Sequence, residues 1–137
     1  MILNVSLMTV YCLDQDATRD FYVEHLGFRP GVDQTAGPGF RWVTLVHPNQ
    51  PELELTLMVP GPPLTEEAAA FVRKQLEAGQ MGGFGLRVDD CRRTVAELAA
   101  AGVPVLQEPS DRPYGVEAVI RDNTGNWLVL VEKPIQE

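Results

Sequence analysis

One pattern occurs twice in this chain, and it constrains the fold more than any other feature. Residues 14–30, DQDATRDFYVEHLGFRP, and 89–109, DDCRRTVAELAAAGVPVLQEP, each run from an acidic cap through a helical stretch to a glycine stop. A strand-like run ending in proline follows each helix. Further on, FRWVTLVHPNQPELELTLM (40–58) and VEAVIRDNTGNWLVLVE (116–132) both read as strand, polar turn, strand. Apolar runs at 3–12 and up to Val88 put one more strand ahead of each helix. The order is therefore β-α-β-β-β twice, an α+β architecture in which structure repeats and residue identity does not.

The boundaries follow from the turn residues. The first helix is expected from Asp14 or Asp16 through His25, with Ala17, Phe21 and Tyr22 on its apolar face and Gly27 as its stop. Strands are expected at 28–34, 40–47, 52–59, 103–107, 115–121 and 126–132. Pro60-Gly61-Pro62-Pro63 reads as a linker into a helix that runs from Thr65 to Ala78. Asp89 or Asp90 caps the last helix, which ends at Gly102. These limits give module 1 at 1–60, a linker helix at 61–80 and module 2 at 81–137 within one domain. A length of 137 residues suits that organisation.

Charge narrows the partners. Eleven Lys and Arg against 19 Asp and Glu leave a formal charge of -8, which repels phosphate backbones and anionic lipids. Nucleic acid and membrane are therefore not expected. No run approaches the roughly 18 apolar residues that cross a bilayer. The start, MILNVSLMTVYCLDQD, lacks the basic region of a signal peptide. Cys12 and Cys91 are too few for a disulfide framework, so a reduced, cytoplasmic location is expected.

Three segments and the spacing between them carry a family resemblance: FYVEHLGF (21–28), ELELTL (52–57) and RPYGVEAVIRDNTGNWLVLVE (112–132). Over nearly its whole length the chain resembles the vicinal-oxygen-chelate superfamily of glyoxalase I, extradiol dioxygenases, fosfomycin-resistance enzymes and bleomycin-resistance proteins. The resemblance implies two βαβββ modules whose strands form an open, curled mixed-sheet cleft, commonly in a homodimer. Metal-using members place four ligands in that cleft, one on the first and one on the last strand of each module. Aligned on the shared motifs, those positions fall at Leu7, Glu54, Gly83 and Val129, of which only Glu54 can coordinate a divalent ion. Shifts by one residue offer Ser6, Met8, Gly82 and Phe84, and Glu132 falls on the opposite strand face. The resemblance therefore leans toward metal-free, bleomycin-resistance-like members.

Strand alternation then assigns the cleft. With Leu53, Leu55 and Leu57 on the helix side, Glu52, Glu54 and Thr56 face the cleft. The same reasoning adds Leu7, Thr9 and Tyr11, then Gly83, Gly85 and Arg87, then Glu117, Val119 and Arg121, then Trp127 and Val129. Trp42 and Thr44 join them, and Tyr114 matches the family's mouth-of-cleft position. His25 reads as a helix-end cation and His47 as a rim residue. Cys12 reads as core, and the carboxylates beside Cys91 oppose activation of its thiol.

Glu54 has three open roles. It could pair with Arg41, Arg87 or Arg121, since a lone buried carboxylate is costly. With Glu52 it could face a cationic ligand flanked by Tyr11, Trp42 and Trp127. It could also act as a catalytic general base. The corresponding functions are a metal-free protein binding a small organic molecule, cationic or aromatic, a metal-free lyase or isomerase, and a glyoxalase-type lyase or dioxygenase with an atypical divalent metal site.

Overall fold

The computed structural model describes residues 1–133, so the last four positions expected for module 2, 134–137, lie outside the described residues. The chain divides into two units at residues 76 and 77. In the first unit, β1 (Leu7–Tyr11), α1 (Gln15–Leu26), β2 (Arg29–Thr35), β3 (Arg41–His47) and β4 (Gln50–Met58) form a sheet of order β1-β4-β3-β2 beside one helix. β1 runs parallel to β4, and the other neighbours are antiparallel. Helix α2 (Glu66–Glu77) leads into the second unit. There β5 (Gly85–Arg87), α3 (Cys91–Ala100), β6 (Val105–Arg112), β7 (Gly115–Arg121) and β8 (Trp127–Glu132) repeat the pattern in the order β5-β8-β7-β6. The α+β, twice-βαβββ architecture read from the sequence is the one the chain adopts.

Local chemistry sets the helix ends. Asp14 Oδ1 accepts the amide of Ala17 at 3.0 Å, and Asp90 Oδ1 that of Arg93 at 3.0 Å, so α1 and α3 each start on an aspartate cap. Gly27, at φ 77°, supplies the left-handed residue that ends α1. The buried face of α1 is Thr18 and Tyr22, not the expected Ala17, which is exposed. These two lie four residues apart on one helical stripe, which Ala17 misses.

Alternation puts the core on one face of each sheet. Val10, Cys12, Val43, Leu45, Leu55 and Leu57 are buried in the first unit, and Ala118, Ile120, Leu128 and Leu130 in the second. Val95 and Leu98 from α3 join the second set. Each fully buried aliphatic side chain contributes about 1.5–3 kcal/mol. β1 begins at Leu7 rather than residue 3, because β4 offers it partners only from Glu54 to Met58. β6 extends to Arg112, beyond the expected 107, by pairing with β7. Among the described residues, no helix is long and apolar enough to cross a membrane.

Candidate ligand-binding faces

Each sheet has a second face, away from its helix, and strand register says which residues share it. In the first unit Thr44 stands opposite Thr56, and Thr56 opposite Thr9. The next row is Val46, Glu54 and Leu7. Tyr11 pairs with Met58, and Trp42 extends from β3 on the same side, opposite Gln34. Thr44 and Thr56 are buried, Glu54 and Tyr11 half-buried, and Leu7 and Thr9 exposed. Thr44 Oγ1 accepts the amide of Val32 at 2.8 Å, over the bare Cα of Gly31. Thr56 Oγ1 is buried without a hydrogen-bond partner among the described residues. Glu52 is exposed, in the stretch where the β3–β4 register slips.

In the second unit the corresponding face carries three rows. Arg121 stands opposite Trp127. Gln107, Val119, Val129 and Gly85 form the next row, then Ser110, Glu117, Val131 and Arg87. Trp127 Nε1 donates to Gly79 O at 2.8 Å, and the Arg121 guanidinium lies against the same glycine, so that a Cβ there would come within 2.8 Å of it. Arg121 Nε and Gln107 Nε2 are buried without a partner among the described residues. At the far end Tyr114, which is exposed, donates its hydroxyl to Glu117 Oε2, and Arg112 Nε lies 3.9 Å from Glu117 Oε1. The hydrogen bond to Glu117 pushes the Tyr114 phenol above its ordinary value, with partial desolvation and the carboxylate charge adding to it.

Several expectations change. Arg41 cannot serve Glu54: it projects to the helix side, donating to Asp33 at 2.8 and 2.9 Å and to Asp16 at 2.9 Å. The Arg41 hydrogen bonds hold both carboxylates below the usual range, and the two carboxylates raise Arg41 in turn. Within residues 1–76, no cation reaches Glu54. His47 Nδ1 accepts the Asn49 amide, and its ring meets Phe28 edge-on, so it braces a turn. Cys91 is buried, and desolvation followed by the charge of Glu132 pushes its thiol up, the reverse of activation. Gln107 was missed because the β6–β7 register shifts beside it, where simple alternation fails.

The family's metal positions can be checked against the backbone. Leu7 and Gly83 each lie seven residues before a capping aspartate, Asp14 and Asp90. Leu7 stands beside Glu54, and Gly83 approaches the Trp127 carbonyl too closely to admit a side chain. Gly85, not Gly83, is opposite Val129. The counterpart of Glu54 is therefore Trp127 rather than Val129, and an indole offers a metal no lone pair. Among the described residues, no three His, Cys, Asp or Glu side chains gather as an ion would require. The donor set does not fit the family's metal.

A cavity of about 510 Å³ also opens at one end of the first sheet, walled by Phe40, Arg41, Met58 and the Pro60–Pro62 linker. None of the residues expected to line a site borders it. Two of its polar side chains are already committed: Arg41 to two carboxylates, and Gln15 Nε2 to Arg41 O and Leu57 O at 3.1 and 2.9 Å, which leaves the Thr35 hydroxyl. It can hold an apolar group but has little left to orient one.

Comparison with known proteins agrees with this architecture. UcmS2 is 40% identical, with a TM-score of 0.87 over 97% of this chain and 100% of that one. TnmS3, described as an antibiotic binding protein from Streptomyces sp. CB03234, is 30% identical, with a TM-score of 0.76 over 97% and 98%. YurT of Bacillus subtilis (strain 168), an uncharacterized protein, is 29% identical over 96% of this chain and all of its own length. The family model for the Glyoxalase/Bleomycin resistance protein/Dioxygenase superfamily matches residues 5–130, and the chain belongs to that superfamily.

Proposed function

We propose that this protein binds a small organic molecule on the helix-free faces of its sheets, without a metal, and does so as a homodimer. One observation carries the reading. The three buried side-chain polar atoms without a partner among the described residues are Thr56 Oγ1, Gln107 Nε2 and Arg121 Nε, and all three stand on those faces. Buried polar groups are ordinarily satisfied, and orphans confined to one kind of surface point to a missing hydrogen-bonding guest. A guest on the first unit's face would meet Leu7, Tyr11 and Trp42 beside the polar Thr9 and Glu54, with Glu52 toward the edge; one on the second unit's face would meet Val129 and Trp127, with Arg87, Tyr114 and Glu117 toward the edge. The relationship to an antibiotic binding protein supports a binding role. The homodimer is supported by the apolar side chains left exposed at the start of the chain, with Leu7 at 44% and Met8 at 43%.

A screen of thermal shifts against a library of aromatic natural products tests the binding reading. A saturable rise in melting temperature that chelator does not alter is expected. A rise that needs a divalent ion would overturn the metal-free part, and no rise with any compound would overturn the whole. Sedimentation at micromolar concentration decides the dimer. A second reading, Glu54 as the base of a metal-free lyase or isomerase, rests on the half-buried Glu54 having no cation in its own unit. It requires turnover that Glu54→Gln abolishes.

A further inference from the structure

Among the described residues, Arg121 is the cation with a buried N–H that has no partner. Its guanidinium is half-buried, lies against the backbone of Gly79 and makes no ion pair among the described residues. Its Nε is closed off from water and has no acceptor. Removing part of a guanidinium from water weakens its hydration and strengthens any ionic bond its remaining N–H groups can form. The position is also held open by construction. A side chain at Gly79 would push the guanidinium away, and the same glycine's carbonyl anchors Trp127, the register partner of Arg121. Gln107 stands on the same face from the neighbouring strand, diagonal to Arg121, and its Nε2 is a second buried donor without an acceptor. Between these donors and the rest of the sheet lie Val119 and Val129, an apolar floor.

We infer that the guest is an acid: a carboxylate carried on an aromatic or apolar body, with the carboxylate taken by Arg121 and Gln107 and the body lying over Val119 and Val129 beside Trp127. This rests on the binding reading above and gives its ligand a chemical class. The formal charge of -8 does not oppose it. Exposed charges farther away than about 10 Å are screened by salt, whereas a desolvated guanidinium in contact is not.

The test uses three probes of one shape, 1-naphthoate, 1-naphthamide and 1-naphthylmethylamine, titrated calorimetrically into the whole protein. Naphthoate is expected to bind at least about tenfold more tightly than the amide, with the amine weakest. Arg121→Gln should erase the difference between naphthoate and amide, and Arg121→Lys should keep part of it. In ¹⁵N spectra of the wild-type protein, the Arg121 Nε cross-peak should move with naphthoate and stay still with the amide. That reading stands even if the Gln variant does not fold. Equal affinities or a preference for the amine would overturn the acid, and a naphthoate preference that survives Arg121→Gln would overturn Arg121 as the group that holds it; all three leave the binding reading intact. No binding of any probe up to about 10 mM would also overturn it, and the library screen would then decide the wider reading separately.

Discussion

The two units are built on one frame and decorated differently. Counted from their capping aspartates and carried across by strand register, Glu54 of the first corresponds to Trp127 of the second, and Val46 to Arg121. The Thr44–Thr56–Thr9 row of hydroxyls has its counterpart in Val119–Val129–Gly85. The helix-side faces show no such divergence: Val43, Leu45, Leu55 and Leu57 of the first unit correspond to Ala118, Ile120, Leu128 and Leu130 of the second, and both sets are apolar and buried. The face that must exclude water keeps its composition because burial leaves it no choice. The face that need not exclude water is free to acquire chemistry, and here one copy holds a carboxylate where the other holds an indole and a guanidinium.

The largest effect should come from a turn present only in the second unit. Asp122 is buried, and its Oδ1 accepts the amides of Thr124, Gly125 and Asn126 at 2.9, 2.9 and 3.0 Å, while Oδ2 accepts Asn126 Nδ2 at 2.9 Å. Asp122→Ala strands several buried donors at once and should cost about 3–5 kcal/mol in urea unfolding. The caps that the two units share, exposed Asp14 and half-buried Asp90, should each cost only about 1 kcal/mol on replacement by alanine. Equal losses at all three positions would mean that burial of this turn is not what distinguishes the units.

A pair of glycines sharpens the contrast next. A Cβ on Gly31 would overlap the buried Thr44 hydroxyl, whereas one on Gly85 meets nothing nearer than Val129 O at 3.8 Å. Gly31→Ala should therefore destabilise by about 2 kcal/mol through overpacking. Gly85→Ala should change stability by less than about 0.5 kcal/mol, while weakening binding of any guest that lies on Val129. Thermal melts with and without naphthoate separate the two effects.

Acid should act on the first unit. Asp16 and Asp33 are held below the ordinary carboxylate value, first by their hydrogen bonds to Arg41. Their contribution is complete above that ordinary value, near 3.8, and is lost as pH falls through the lower folded values. Arg41→Gln should thus flatten the fall of melting temperature below about pH 4. Two ion pairs of the second unit, Arg92–Asp111 at 3.4 Å and Arg93–Asp89 at 3.3 Å, are more exposed than the Arg41 cluster and make one contact each. Arg92→Gln should leave that slope unchanged.

The repeat was readable because caps, glycine stops and alternation are local. Asp14, Gly27, Asp90 and the Leu53-Leu55-Leu57 stripe each announce themselves within a few residues. The helix-free faces were readable only where the strands run without interruption, which is why Thr56, Trp42 and Trp127 were placed from sequence. Bulges erased the rest. The β6–β7 shift hid Gln107, and the β3–β4 slip moved Glu52 out of the ladder. Arg41 stood among three candidate partners of Glu54 because its actual partners Asp16 and Asp33 lie 25 and 8 residues away, on a helix and a neighbouring strand. Long-range electrostatics of that kind leaves no periodic trace.

The smallest expected effect concerns the rim. Glu117 takes the place in the second unit that Trp42 takes in the first, and it brings a titrating pair where Trp42 has only Phe40, 6.0 Å between ring centroids. Because Tyr114 donates to Glu117, its neutral form is favoured in the folded chain, and its phenol sits above the ordinary value of 10. The contact therefore contributes below that value and is lost as pH rises through the raised one. Ultraviolet titration should show the exposed Tyr114 ionising above the ordinary phenol value. Glu117→Gln should bring that step back toward the ordinary value, and Tyr114→Phe should remove it. Trp42→Phe should leave it in place, since no titrating partner stands at that position. Were Glu117→Gln to leave that step unchanged, the rim of the second unit would be as inert as that of the first, and the difference between them would reduce to Arg121 and Trp127.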